Sequence, residues 1–353
     1  MIDKFIRKDL QGFLPYHAPL KEYEIKVDAN ENPYPHCEQV LETARKWIDN
    51  KDNFTRYPDT DQNNLRETLA DYYKVSKDNI ICGVGSDQLI EYILKLFIEP
   101  DDIILVPDPS FSMYELSNTI NHGKTIRYEL DDDFEYSSVD IINLYKIHNP
   151  KIIFVCTPNN PTGTVIKRQQ LISLLDEVQC PVVLDEAYAE FVDKDFMDLI
   201  VKYENLIVLK TFSKAFGLAG LRVGYGISSK KMIESINICK APYNLSAFSA
   251  DIAESVIKNA DYYNGVVQKL NKNRDQLISA LRGIPVIERV YPSEANFILV
   301  KVKSSEVAQY LEEFKILVRG YGDKGRLANC IRISVGTEQE NQKIIKVLKN
   351  INI

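Results

Sequence analysis

The strongest chemical signal in the chain is Lys214, which directly follows a serine and precedes three glycines within ten residues. Glycine allows sharp turns and close backbone approach, so the segment is suited to line a binding site. A lysine becomes a nucleophile toward aldehydes when burial holds its pKa down, and this position therefore suits Schiff-base chemistry. Taken alone, the same pattern also fits a lysine in a surface loop.

A second signal is the pair of carboxylates, Asp185 and Glu186, at the end of the apolar run Val182-Val183-Leu184. The carboxyl ends of parallel strands are the places where α/β folds bind ligands. Asp185 is therefore a candidate site residue, whereas Glu186 is assigned a structural role. The alternative for Asp185 is a carboxylate that caps a helix or ends a strand.

Three further turns follow apolar runs and carry polar or aromatic residues. Gly85, Ser86 and Asp87 open a predicted helix, and the backbone amides of a helix N-terminus bind anions, although a plain capped helix start explains them equally well. Asn160 lies in a turn rich in asparagine, proline and glycine. Phe111 follows another run, where the alternative is an aromatic of the core.

These motifs together resemble the fold-type-I pyridoxal-phosphate-dependent aminotransferases. The resemblance rests first on Ser-Lys-x-Phe-Gly-x-x-Gly-x-Arg-x-Gly, from Ser213 to Gly224, and on Asp-x-x-Tyr, from Asp185 to Tyr188. It implies that pyridoxal phosphate is bound covalently to Lys214 as a Schiff base. Asp185 then keeps the pyridine nitrogen protonated, so that the ring acts as an electron sink.

The resemblance also assigns the other cofactor contacts. Ser213, Arg222 and the turn Gly85, Ser86 and Asp87 contact the phosphate, for which an arginine fork and a hydroxyl are suitable donors. Tyr188 and Asn160 contact the ring oxygen, and Phe111 stacks on the ring. Lys214, Asp185 and Tyr188 are the predicted catalytic residues.

Three more segments resemble histidinol-phosphate aminotransferases in particular: Ala-Asn-Glu-Asn-Pro from Ala29, Arg-Tyr-Pro from Arg56, and Arg-Ile-x-x-Gly from Arg332. The predicted substrate residues are Arg332, Arg319, Asn32, Tyr16 and Tyr34. The two arginines contact a substrate phosphate and the other three line the imidazole side, although Arg319 also fits a surface salt bridge. Tyr57 is implied to reach the cofactor phosphate of a second subunit, which predicts a two-fold homodimer.

The implied reaction moves the amino group of L-histidinol phosphate to 2-oxoglutarate, giving imidazole-acetol phosphate and glutamate, reversibly and with ping-pong kinetics. Lys214, once displaced by the substrate amine, takes the α-proton and returns it at the cofactor carbon. An aromatic or broad-specificity aminotransferase, or a threonine-phosphate decarboxylase on the same scaffold, stays an alternative. A remote alternative is a regulatory protein that binds pyridoxal phosphate.

The scaffold that positions these residues is predicted to be α/β. Short runs apolar on both faces alternate with amphipathic stretches, which indicates a large domain with a mostly parallel sheet flanked by helices, plus a smaller α+β domain. The expected boundaries are an N-terminal segment, 1–53, that packs with the small domain, a cofactor-binding domain, 54–260, and a small domain, 261–353.

Composition limits the classes of function. The net charge of −7 disfavours a nucleic-acid partner, and no apolar stretch has the roughly 20 residues of a membrane span. The six cysteines and four histidines show no ligand spacing, so no metal site is expected. Without an apparent export signal, the expected location is cytoplasmic.

Overall fold

The computed structural model of the chain describes residues 2–11, 22–192 and 196–351. Its strands are β1 (Ile25–Lys26), β2 (Ile80–Val84), β3 (Ile103–Asp108), β4 (Lys124–Glu129), β5 (Ile152–Cys156), β6 (Val182–Asp185), β7 (Leu206–Thr211), β8 (Val223–Ile227), β9 (Ile287–Val290), β10 (Phe297–Val302), β11 (Ile316–Leu317), β12 (Arg319–Gly320) and β13 (Cys330–Ser334). Its α-helices are α1 (Glu38–Asp49), α2 (Asn63–Tyr73), α3 (Gly85–Phe97), α4 (Met113–Ile120), α5 (Ser138–His148), α6 (Arg168–Glu177), α7 (Met197–Lys202), α8 (Lys230–Asn237), α9 (Ala247–Lys258), α10 (Ala260–Leu281), α11 (Val307–Glu313) and α12 (Glu338–Lys349).

The central sheet has seven strands in the order β2-β8-β7-β6-β5-β3-β4. The pairs among β7, β6, β5, β3 and β4 are parallel, whereas β8 runs antiparallel to both of its neighbours. Strands β5, β6, β7 and β8 are buried along their whole length, as expected of strands covered by helices on both faces. The prediction of a mostly parallel sheet flanked by helices is therefore confirmed.

The sequence prediction missed one strand of this sheet, β4. Its residues, Lys-Thr-Ile-Arg-Tyr-Glu, contain no continuous apolar run, and most of them are partly or fully exposed. The strand lies at the edge of the sheet, where only one side is paired and burial is incomplete. Backbone hydrogen bonds with β3 hold β4 in the sheet, and the side-chain pattern of β4 gives no sign of this pairing.

A second, smaller sheet has the antiparallel order β12-β13-β10-β9. It packs with α11, α12 and the C-terminal end of α10 around a separate apolar core. The long helix α10 connects the two cores, because Tyr263 packs in the main one and Leu277 and Leu281 pack in the smaller one. Strands β1 and β11 add a short parallel pair that joins the N-terminal segment to this unit.

The N-terminal segment does not pack with the small unit alone. Ile25 and Val27 belong to the small core, as expected, but Cys37 and Val40, at the start of α1, belong to the main core. Helix α1 contacts α9 of the large unit, so the expectation that 1–53 packs with the small domain is wrong for α1. The apolar face of α1 has to be covered, and α9 of the large unit covers it. In the described part of the chain, no helix is long and apolar enough to cross a membrane.

Candidate active site

A cavity of about 670 Å³ opens where the carboxyl ends of the central strands face the small sheet. It holds residues that directly follow or end β5, β6 and β7, together with Arg319 and Arg332 of the small sheet. The sequence-predicted residues on its wall are Ser86, Asp87, Phe111, Asn160, Asp185, Tyr188, Ser213, Lys214, Arg222, Arg319 and Arg332. Residues separated by more than 200 positions thus meet at one site, as the strand-end rule for α/β folds predicts.

Lys214 extends from the segment after β7 into this cavity. Its Nζ donates a hydrogen bond to the backbone oxygen of Ala29 at 2.8 Å and lies 5.8 Å from the centre of the Tyr188 ring. Burial, and next the positive charge of Arg332, lower the pKa of Lys214 to about 8. Since only the neutral amine is a nucleophile or a base, the site makes Lys214 competent near neutral pH.

Asp185 is buried at the end of β6, with 3% of its surface exposed. Its Oδ2 accepts a hydrogen bond from the Tyr114 hydroxyl at 2.6 Å, and its Oδ1 accepts one from the backbone amide of Ala187 at 3.1 Å. Burial raises the pKa of this carboxyl to about 6, in spite of both donors. A buried carboxylate in this state favours a cationic partner, as a protonated pyridine nitrogen would be.

We expect Asp185→Asn to stabilise the cofactor-free protein at pH 8 but not at pH 4. The pKa of Asp185 is 3.8 ordinarily and about 6 in the fold, so the folded chain binds more protons between these values and loses stability as pH rises through that window. The loss is about 3 kcal/mol above pH 6, and asparagine avoids it because it carries no charge. Urea unfolding at both pH values measures the difference, with Asp275→Asn at the surface as the control. An equal gain at both pH values would contradict the ionisation as the cause.

Tyr188 is fixed by a network that reaches into the N-terminal segment. Its hydroxyl accepts a hydrogen bond from Asn30 Nδ2 at 2.9 Å, and Asn30 Oδ1 accepts one from the Ser334 hydroxyl at 2.9 Å. The ring packs edge-on against Phe297 at 5.0 Å between centres. Burial raises the pKa of Tyr188, so its hydroxyl keeps its proton and can donate it to an oxygen in the cavity.

The predicted phosphate site is a cluster of cationic and hydroxyl groups at the start of α3. Arg222 donates to the Ser213 hydroxyl at 3.2 Å and to Asp87 Oδ2 at 3.1 Å. Gly85 has a positive φ of 74°, and a Cβ there would lie 2.6 Å from the Arg222 guanidinium. The Gly85 amide donates to the Arg222 carbonyl at 3.1 Å, and Gly85 gives room to the arginine; its own contact with a phosphate stays a prediction.

Close contact between β8 and the start of α3 shapes the same cluster. A Cβ on Gly224 would lie 2.3 Å from the backbone nitrogen of Ser86, so this position requires glycine. Gln88, to which the sequence assigned no role, accepts hydrogen bonds from the Val84 amide at 2.9 Å and from Asn244 at 2.9 Å. Gln88 therefore stabilises the connection between β2 and α3 through these two hydrogen bonds.

Arg319 and Arg332 form the cationic side of the cavity. They are direct cross-strand partners on β12 and β13, which places them on one face of the small sheet. Arg332 is buried and donates to Asn160 Oδ1 and to the Asp28 carbonyl, while its buried Nε has no partner among the described residues. A buried unpaired donor of this kind is satisfied by an anionic ligand.

Several predicted residues lie away from this wall. Asn32 donates to the Ala215 carbonyl at 2.8 Å and Tyr34 accepts from Asn273 at 3.2 Å, so both join the N-terminal segment to its neighbours and neither lines the cavity. Tyr57 is 81% exposed and stacks on Tyr243, with 4.4 Å between ring centres. Tyr16 lies outside the described residues. The substrate roles of Asn32, Tyr34 and Tyr16 and the cofactor role of Tyr57 stay predictions.

Among the residues of the site for which the sequence indicated no role are Asn30, Tyr114 and Tyr321. Asn30 lies in the same Asn-Glu-Asn-Pro motif as Asn32, but the motif does not show which asparagine points inward. Tyr114 follows Phe111 by three positions and donates to Asp185, a contact that no motif indicates. Tyr321 lines the cavity beside the two arginines, and no motif marks it, because it follows β12 in an irregular segment.

Comparison with known proteins agrees with the geometry. Residues 23–348 match the family described as aminotransferase class I and II, and the chain belongs to that family. Within this class, a similar curated relative is the histidinol-phosphate aminotransferase of Ruminiclostridium cellulolyticum, 41% identical over 99% of this chain and 98% of that protein. A curated histidinol-phosphate aminotransferase of Clostridium kluyveri is 37% identical over 99% of both chains.

Solved structures show the same fold. The crystal structure of the histidinol-phosphate aminotransferase from Clostridium acetobutylicum superposes with a TM-score of 0.84 at 26% identity, covering 92% of this chain and 98% of that one. The family uses pyridoxal phosphate, and the residues present here fit that group. The carboxyl of Asp185, with its raised pKa, suits a protonated ring nitrogen. The amine of Lys214, with its lowered pKa, suits reaction with the aldehyde, and the cluster of Arg222 and Ser213 suits the phosphate.

Proposed function

We propose that this protein transfers the amino group of L-histidinol phosphate to 2-oxoglutarate, giving imidazole-acetol phosphate and L-glutamate. The observation that carries the proposal is the pair of cross-strand arginines, Arg319 and Arg332, in the same cavity as Lys214. A phosphate monoester carries up to two negative charges, and two guanidinium groups on one face match it better than they match a single carboxylate. The names of the full-length relatives support the same substrate.

The second substrate requires only part of this site. In the second half-reaction, 2-oxoglutarate presents an α-carboxylate, and the buried Arg332 is the suitable partner for this group. Arg319 is exposed and lies on the edge strand β12, beside Arg332, so it is assigned to the phosphate of the amine substrate. In this assignment Arg332 binds both substrates, whereas Arg319 binds only the phosphate of the amine. The two substrates can therefore occupy the same site in turn, as ping-pong kinetics require.

Bound pyridoxal phosphate supplies the electron sink that stabilises the carbanion formed at the amino carbon of the substrate. Asp185 would pair with the ring nitrogen and hold a proton there, and Tyr188 and Asn160 would donate to the ring oxygen. Lys214 Nζ, whose pKa is lowered to about 8 so that part of it is neutral at working pH, would take the proton from the substrate carbon and return it at the cofactor carbon. Phe111, on the wall of the same cavity, would stack on the ring and exclude water from that face.

The test is a titration of the visible absorption of the purified, cofactor-loaded protein with L-histidinol phosphate, L-phenylalanine and threonine phosphate. We expect the absorption band of the bound cofactor to disappear at low concentrations of L-histidinol phosphate and to require roughly a hundredfold more L-phenylalanine, which lacks the phosphate contact. An equal response to L-phenylalanine would favour a broad-specificity aminotransferase. Release of CO₂ from threonine phosphate would favour a decarboxylase. The full-length relatives favour neither alternative.

The homodimer is part of the proposal. Tyr57 is 81% exposed and held by stacking on Tyr243, so its hydroxyl is available to a second copy of the chain. We propose that it contacts the cofactor phosphate of that copy, beside Arg222. A fully active monomer in dilute solution, detected by sedimentation alongside an activity assay, would contradict this contribution. The cytoplasmic location stays a prediction.

A further inference from the structure

Tyr114 forms a hydrogen bond with the predicted cofactor partner Asp185 that no motif indicates. Its hydroxyl donates to Asp185 Oδ2 at 2.6 Å, and the tyrosine itself is only 1% exposed. Tyr114 lies in the first turn of α4, three residues after Phe111. One short segment therefore contributes both the aromatic face expected against the cofactor ring and the donor to the carboxylate expected at its nitrogen.

The packing around Tyr114 leaves its hydroxyl little freedom. The ring stacks on Phe154 with 4.6 Å between centres and 21° between planes, and it meets Phe111 edge-on at 5.6 Å and 83°. A tyrosine ring held on both sides in this way has one position for its hydroxyl. Burial also raises the pKa of Tyr114 well above its ordinary value, so the hydroxyl remains a donor at working pH.

The charges around Asp185 come from every element that packs on it. Lys214, after β7, favours the ionised carboxylate, whereas Asp87, in α3, opposes it. The Cys156 thiol, on β5, is buried and has a raised pKa of about 12, and Tyr136 donates to the Cys156 carbonyl, so these two groups stay uncharged. Among the groups that favour the ionised form, the Tyr114 hydroxyl has the largest effect, ahead of the Ala187 amide and Lys214.

We propose that Tyr114 is a positioning residue for amino transfer: its hydroxyl keeps the Asp185 carboxylate ionised and directs its free lone pairs toward the ring nitrogen of the cofactor. This inference rests on the proposed role of Asp185. A carboxylate offers about four acceptor positions, of which Tyr114 and the Ala187 amide use two on fixed sides. The carboxylate plane is therefore set before any cofactor binds.

The test compares proton uptake when cofactor-free wild type and Tyr114→Phe bind pyridoxal phosphate. Phenylalanine keeps the ring packing and removes only the hydroxyl. Loss of a hydrogen bond to a charged group should raise the proton affinity of Asp185 by roughly one to two pKa units, so the variant already carries this proton near pH 7. Calorimetry in buffers of different ionisation enthalpy, from pH 6 to 9, should show the Asp185 step displaced upward by that amount. In the loaded enzyme, kcat should fall roughly tenfold with KM nearly unchanged.

A matched control is Tyr128→Phe. Tyr128 is also buried and donates to a backbone oxygen, that of Phe154, at 2.7 Å, so its loss costs a similar buried hydrogen bond without touching Asp185. This variant should keep the wild-type proton-uptake profile. An unshifted profile in Tyr114→Phe, or the same shift in both variants, would overturn the inference. Asp185→Asn separates the two proposals: if it binds cofactor and transfers amino groups like wild type, the role assigned to Asp185 itself fails.

Discussion

Lys214→Ala is expected to lower kcat for amino transfer by roughly a thousandfold or more, and to remove the visible absorption of the covalently bound cofactor. The reason is that Lys214 is assigned both the covalent attachment and the movement of the substrate proton. Its amine is buried and its pKa is lowered to about 8. The side chain extends into the cavity from the segment between the buried strands β7 and β8. Alanine fills neither role. The measurement is steady-state formation of L-glutamate from L-histidinol phosphate and 2-oxoglutarate, with the visible spectrum of each purified protein recorded separately.

Lys167→Ala is the matched control for this experiment. Lys167 is an exposed lysine that pairs with Glu135 away from the cavity, so its loss should leave turnover unchanged. Added methylamine should partly restore the alanine variant, because a free amine can occupy the vacated space and carry the proton. A Lys214→Ala protein that turns over at the wild-type rate would end the proposed mechanism.

Arg332→Met should lower kcat/KM roughly a hundredfold or more with both L-histidinol phosphate and 2-oxoglutarate, since each charge-assisted hydrogen bond to a buried guanidinium is worth about 1.5–3 kcal/mol. Arg319→Met should lower it for L-histidinol phosphate and leave 2-oxoglutarate nearly unaffected. The two arginines are cross-strand partners, but Arg332 is buried and Arg319 is exposed. The assay compares both substrates in each variant.

The control for both substitutions is Arg289→Met. Arg289 lies on β9 of the same small sheet and pairs with Asp133 at the surface, so it tests whether removing any cation from this unit matters. Arg289→Met should leave kcat/KM unchanged for both L-histidinol phosphate and 2-oxoglutarate. An Arg319→Met enzyme that keeps full activity with L-histidinol phosphate would place the phosphate elsewhere and remove the main support for the proposed substrate.

The sequence was informative about the central strands because their burial is symmetrical. A strand covered on both faces needs an apolar residue at nearly every position, and this produces the runs that mark β5, β6 and β7. The half-exposed edge strand β4 carries no such run and was missed. The antiparallel direction of β8 was also not predictable, because an apolar run contains no information about direction.

The sequence by itself was enough to predict the main cofactor-binding residues. Ser213, Lys214 and Arg222 lie close together in one segment, and its glycines mark the sharp turns of that segment. Only the tertiary structure decided which asparagine of the N-terminal motif faces Tyr188 and that Tyr114 bonds Asp185. These choices depend on contacts between residues 71 and 158 positions apart, and local spacing does not encode them. Hydrogen bonds across such separations form only after the strands and the small sheet have packed, because packing fixes the direction of each side chain.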